Sequence, residues 1–240
     1  MKRLLQIPAW FAVWLAAPGF AAPITALERQ RLVAHLEMTE SWLAGEVSGL
    51  SPAQLNFHPA PGAWSILEVL EHLVISEPVY WRDLQQALKT PPAAQRLSAS
   101  DDAILWYGID RTHREKAIPS EDVKGRLRDV RDGLDAFRKL RSRMLEYART
   151  TSDNLRGHIV QRQGCDAYQW LLLISTHSQR HILQIREIKA SPKFPRRAAA
   201  RQPGCTPRCP PSDAVHGGIY YLSAPPPLTS PDPVTIPMRL

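Results

Sequence analysis

Residues 167–190 read AYQWLLLISTHSQRHILQIREIKA. At about 100° per residue, Trp170, Leu173, Ile174, His177, His181, Ile185 and Ile188 fall on one side of a helix. The ends are marked as well. Asp166 is a helix N-cap with Gln169 three residues later, and Pro192 stands just beyond the last turn. His177 and His181 are four residues apart, so their imidazoles stack one turn apart along the centre of the apolar stripe. One buried histidine needs only a hydrogen-bond partner. Two on one face need a donor and an acceptor each, and burying such groups unpaired costs ~1–3 kcal/mol apiece. A metal ion satisfies a lone pair on both rings at once, and histidines at i and i+4 are a recurring way for a helix to present two ligands.

Three more amphipathic segments precede this one. Between Leu27 and Leu50, the residues Leu32, Leu36, Thr39, Leu43, Val47 and Leu50 recur at steps of three and four; Gly49 and Ser51-Pro52 end the run. The second segment, Ser65 to Leu88, opens on a Ser65-to-Glu68 capping box, with Trp64 placed to staple onto Val69. Its stripe is Ile66, Leu70, Leu73, Tyr80, Trp81 and Leu84, and Pro78 costs it a hydrogen bond. The third, Arg126 to Arg149, keeps the close step of bundle packing through Leu127, Val130, Leu134, Phe137, Leu140, Met144 and Ala148. No strand-like alternation of useful length occurs. The pattern predicts an all-α, four-helix bundle with one long crossover, residues 90–125, whose Trp106-Tyr107 pair is expected to pack over the bundle.

Composition sets the boundaries. Lys2 and Arg3, an apolar run to Phe20, and the small residues Gly19 and Ala21 read as a signal peptide over residues 1–21, cut after Ala21, which places the mature protein in the periplasm or outside the cell with no membrane anchor. Residues 22–195 form the bundle. Residues 190–240 hold 12 of the 22 prolines and only eight Leu, Ile, Val or Phe, so the tail 196–240 is expected to be disordered. All but one unit of the net charge of +7 comes from the two ends, since residues 22–189 carry 22 basic and 21 acidic residues. A nucleic-acid surface therefore has no support. The dense charges of residues 126–143 alternate in sign and read as a solvated helix face. Of the three cysteines, Cys205 and Cys209 could pair, leaving Cys165 free.

Two histidines rarely complete a metal site. The third ligand has candidates in His35, His58, His72, His113, His158 and nearby carboxylates, and spacing alone does not choose among them; His72 falls toward one edge of its helix stripe. The stretch LNFHPAPGAWSILEVLEHL, residues 55–73, resembles the start of the second helix in the DinB/YfiT-like superfamily. HSQRHILQI, residues 177–185, resembles its last helix, and DRTHREKAIPS (110–120) and LRGHIVQRQGCDAYQWL (155–171) resemble its crossover and its third-to-fourth connection. The resemblance covers about residues 27 to 195 and implies a three-histidine metal site, which falls on His72, His177 and His181.

Three neutral imidazoles leave coordination positions open: one for tetrahedral zinc, three for octahedral nickel, iron or manganese. Zinc or nickel is the leading expectation. An open site suits a metal-dependent hydrolase, or a thiol transferase of the kind the resemblance implies, acting on a small molecule. Export weighs against the thiol branch. Glu68 is occupied as a cap, Glu71 and Glu77 read as solvent-facing, and Arg180 reads as a surface residue, so no general acid or base stands out. That lack favours the alternative, a non-catalytic sensor or storage module of the cell envelope. A purely structural bundle is the third possibility. A homodimer is the expected assembly.

Overall fold

The computed structural model describes residues 23–93, 100–114 and 116–196. The signal-like residues 1–21, the tail beyond Arg196, and Cys205 and Cys209 lie outside the described residues.

The long helices begin where the sequence supplies caps. Helix α1 (Ala26–Val47) starts behind a Thr25–Glu28 capping box, and Ser48 leaves it in an extended conformation before Gly49 turns the chain at φ 66°. A single turn, α2 (Pro52–Leu55), has its own Ser51–Gln54 box. Helix α3 (Ile66–Ala87) starts at Ser65 with Glu68, as the sequence predicts, and keeps Pro78 inside it. The crossover holds a short helix, α4 (Asp101–Ile109), capped by Ser100. Helix α5 (Val130–Thr150) starts behind its Asp129 cap, four residues after the Arg126 that opens the segment in sequence; the Arg126 amide donates to Glu71 Oε1 at 2.9 Å. A two-residue antiparallel pair, β1 (Ile159–Val160) and β2 (Cys165–Asp166), then delivers Asp166 as the N-cap of α6 (Ala167–Ala190).

Helices α1, α3, α5 and α6 make the four-helix bundle. Close packing joins α1 to α5 and α6, and α3 to α5 and α6, so α1 faces α3 across the bundle and α5 faces α6. Helix α6 is the central element: apart from a few residues near its end, its whole length is buried. It can be buried all round because α4 covers the side that the other helices leave open. Gly108 permits this approach, since a Cβ there would come within 3.0 Å of the Thr176 carbonyl oxygen. The crossover pair divides accordingly. Tyr107 meets the Arg180 guanidinium 4.9 Å from its ring centroid, whereas Trp106 stays 59% exposed rather than packing over the bundle.

Two ion-pair clusters tie the helices together. Arg141, inside the mixed-charge run of α5, is fully buried and donates to Glu77 at 2.5 Å and to Ser178 at 2.8 Å. The run is therefore not wholly a solvated face, and Glu77 is not solvent-facing. Arg156 donates to Glu28, Asp101 and Asp166, tying α1, α4 and the start of α6 together. Cys165 is a free, buried thiol. Among the described residues no helix is long and apolar enough to cross a membrane.

Candidate metal centre

His177 and His181 project from α6, and His72 meets them from α3. All three are buried, at 4%, 9% and 3% exposure. Their ligand atoms lie within 4.8 Å of one another. His177 Nε2 is 3.3 Å from His72 Nε2 and 3.1 Å from His181 Nε2. A zinc ion bonded to three imidazoles sets their nitrogens about 3.3 Å apart, so these separations suit one shared ion.

The proton positions follow from the other ring nitrogens. His72 Nδ1 lies 2.8 Å from the carbonyl oxygen of Glu121, which can only accept. His181 Nδ1 lies 2.9 Å from Gln184 Oε1, also an acceptor. Both rings thus carry their proton on Nδ1 and turn an Nε2 lone pair inward. His177 has one proton in its neutral form. Placed on Nε2, it serves only one of the two facing lone pairs, and its Nδ1 is buried without a hydrogen-bond partner. The donor set is therefore short of hydrogens and fits a cation. Burial lowers the basicity of all three rings; for His177 and His181 the positive neighbours, including Arg180, add to it. The rings stay neutral, which is the state a metal needs.

Residues 31–185 match the sequence model of the DinB superfamily. The chain belongs to that superfamily. It is 28% identical over 160 residues to the uncharacterized protein YuaE of Bacillus subtilis (strain 168), an alignment spanning 62% of this chain and 91% of YuaE. A solved structure of YfiT from Bacillus subtilis, described as a probable metal-dependent hydrolase with an unusual four-helix bundle topology, matches 69% of this chain and 88% of its own, at 21% identity and a TM-score of 0.48.

In this DinB chain the other histidines among the described residues stand apart from the triad. His35 is half-buried, its Nδ1 2.7 Å from Ser175 Oγ, so it is no simple surface residue. His58 is exposed in its loop, with Nδ1 2.8 Å from the carbonyl oxygen of Ala63. His113 is exposed and His158 half-buried, with its Nδ1 unpartnered.

Four residues that periodicity passes over surround the triad or hold the crossover beside it. Trp64, expected as a staple on Val69, lays its indole against His72 at 4.9 Å and His181 at 6.2 Å between ring centroids. Glu121, in the crossover, is 2% exposed; its carbonyl orients His72, while its carboxylate accepts from Tyr80 Oη at 2.9 Å and from Arg162. Glu71 is also buried, contrary to its solvent-facing reading. One of its oxygens accepts from the amides of Lys124 and Arg126, at 3.1 and 2.9 Å, and so straps the crossover onto α3 beside His72. Arg180 is likewise buried rather than on the surface. It donates to the carbonyl oxygens of Tyr107, Asp110 and His113 and pins the other half of the crossover. Trp64 and Glu121 lie in loops, which carry no period, and the helical Glu71 and Arg180 are buried by the crossover, which no helix period records.

The triad opens onto a cavity of about 620 Å³, bounded by Trp64, Tyr80, Tyr107, Arg111, Gln184 and Ile188 among others. That volume lies within the range of small-molecule sites.

Proposed function

We propose that His72, His177 and His181 hold one divalent metal ion, zinc or nickel, and that the protein is a metal-dependent hydrolase acting on a small molecule in the cell envelope. The observation that carries this reading is the convergence of three inward-turned imidazole nitrogens on a cavity roomy enough for a substrate. A structural site closes its shell with protein atoms, whereas this one presents three ligands and leaves a side open to the cavity. When bound, the ion supplies Lewis-acid activation of an oxygen at a carbonyl or similar centre, the chemistry hydrolysis requires.

The chain's own residues do the rest. The Glu121 carbonyl and Gln184 Oε1 accept the Nδ1 protons of His72 and His181 and so aim both Nε2 lone pairs. The indole of Trp64 and the ring of Tyr80, the latter edge-on to His177 at 5.2 Å, exclude water from the side of the triad they cover. Export rests on Lys2, Arg3, the apolar run that follows and the Gly19–Ala21 pair.

Elemental analysis of the purified chain tests the metal. One zinc or nickel per chain is expected, falling to background in His72→Ala, His177→Ala and His181→Ala. Full metal content in all three variants would sink the proposal. Hydrolysis of ester or amide substrates, lost with chelator and restored by added metal, tests the enzyme. If the metal-loaded protein turns over nothing in a broad screen, the site is a binding module instead.

A further inference from the structure

Arg180 is 6% exposed, yet its guanidinium is met by neutral groups, the Tyr107 ring and the carbonyl oxygens of Tyr107, Asp110 and His113. No carboxylate pairs with it among the described residues. A buried cation normally sits against an anion, because neutral dipoles only partly replace its lost hydration. Arg180 also lines the cavity, next in the chain to His181. Along the exposed rim stand Arg114 and Lys116, neither in an ion pair among the described residues. Arg111 completes the group. It uses Nε and Nη2 on Glu187, at 2.9 Å each, and so keeps Nη1 free of that bond. On the acidic side, Glu187 is matched by Arg111 and Glu121 by Arg162, which leaves one carboxylate, Asp122, against the three cations Arg114, Lys116 and Arg180. The imidazoles are neutral. The cavity therefore carries an unbalanced positive charge before any metal is counted, and a divalent ion adds two more. Trp64, Ala63, Pro59 and Ile188 add apolar surface to the lining.

We propose that the cavity is built for a small organic anion, with its carboxylate or phosphate group held by Arg114, Lys116 and the field of Arg180, and its apolar body laid along Trp64. Arginine's planar fork suits the oxygens of either acid group, and charge-assisted hydrogen bonds in a partly dehydrated cleft are the strong ones. The proposal names the substrate class of the hydrolase reading and rests on that reading for the reaction alone; the anion site itself stands on the cations.

Isothermal titration on the zinc-loaded and the EDTA-treated chain tests it, with benzoate, phenyl phosphate and the neutral isostere benzamide as probes. At least one of the two anions is expected to bind at least tenfold tighter than benzamide in both forms. The Arg114→Gln/Lys116→Gln variant is expected to lose about tenfold in anion affinity, the scale of a charge-assisted contact, with benzamide affinity and zinc content unchanged. Which anion binds tighter tells a carboxylate site from a phosphate site. Benzamide matching both anions, wild-type anion affinity in the double variant, or no anion binding at 10 mM would each overturn the proposal. His177→Ala separates the two readings: zinc retained in that variant counts against the metal centre, whereas anion preference lost only when Arg114 and Lys116 are changed upholds the anion site.

Discussion

His177 stands among His181, His72, Arg180 and Arg162, and burial first, then repulsion from these groups when they carry charge, holds its imidazole well below the ordinary 6.5. His72 and His181 are lowered as well, again chiefly by burial. The consequence for stability has a definite sign. Below about pH 6.5 the unfolded chain takes up protons on these histidines while the folded chain does not, so the unfolded state gains. Their contribution is fully present above that pH and is lost as pH falls toward the lowered folded values. In metal-free protein the melting temperature should hold steady between pH 8 and 7 and fall on acidification from 6.5 to 5; His177→Gln should flatten that slope in calorimetry. At the same scale, burial and then the neighbouring Asp166 push the Cys165 thiol up to about 12. In a Cys205→Ser/Cys209→Ser background, a thiol reagent should find no reactive sulfur in the native protein and one after unfolding. The chemistry of His177 and His181 was legible in the chain, because their spacing on an apolar stripe is a local fact. The burial of Glu71, Glu77 and Arg180 was not, because each is buried by an element distant in sequence.

Helix α3 shows how local signals and distant ones combine. Its Ser65–Glu68 capping box was readable residue by residue, and Ser65→Ala should lower stability by ~1 kcal/mol in urea titration. One turn on, Glu71 takes two amides of the crossover, which in turn brings the Glu121 carbonyl to His72. Glu71→Ala should release this strap, weakening metal binding about tenfold, as loss of ligand-orienting contacts does, and speeding proteolysis within residues 116–127. Glu71→Gln keeps an acceptor oxygen and should retain most of the affinity. Helix α5 illustrates the opposite case. Its apolar step runs from Leu127, yet the helix opens only at Val130, where Asp129 caps it, while Glu71 holds the amides of Lys124 and Arg126 against α3. Helix α4 was hidden in the crossover: nine residues are too few to establish a period.

Across the whole bundle, the pair Glu77–Arg141 joins α3 to α5 and touches α6 through Ser178. Both side chains are fully buried, and Arg141 Nε and Nη1 and Glu77 Oε2 lack protein partners. Removing one charge strands the other, so Arg141→Ala should cost ~3–5 kcal/mol, read from denaturant unfolding. Replacing both, as Glu77→Leu with Arg141→Met, should cost less than Arg141→Ala alone. Such an outcome would show that the pair specifies how the helices register more than it stabilises them.

What the chain determined by itself was periodic or contiguous: four amphipathic helices, their caps, the composition break before the tail, and two histidines one turn apart. These depend on neighbours within a few residues, so helix geometry converts them directly into faces. Periodicity leaves the third histidine open, and only the family resemblance points to His72; the tertiary structure brought it to the other two by setting α3 against α6, and decided which charged side chains are buried. It also decided that a non-periodic crossover would close the cavity and supply its cations. Those outcomes depend on contacts between residues 37 to 105 positions apart, and no local pattern records them.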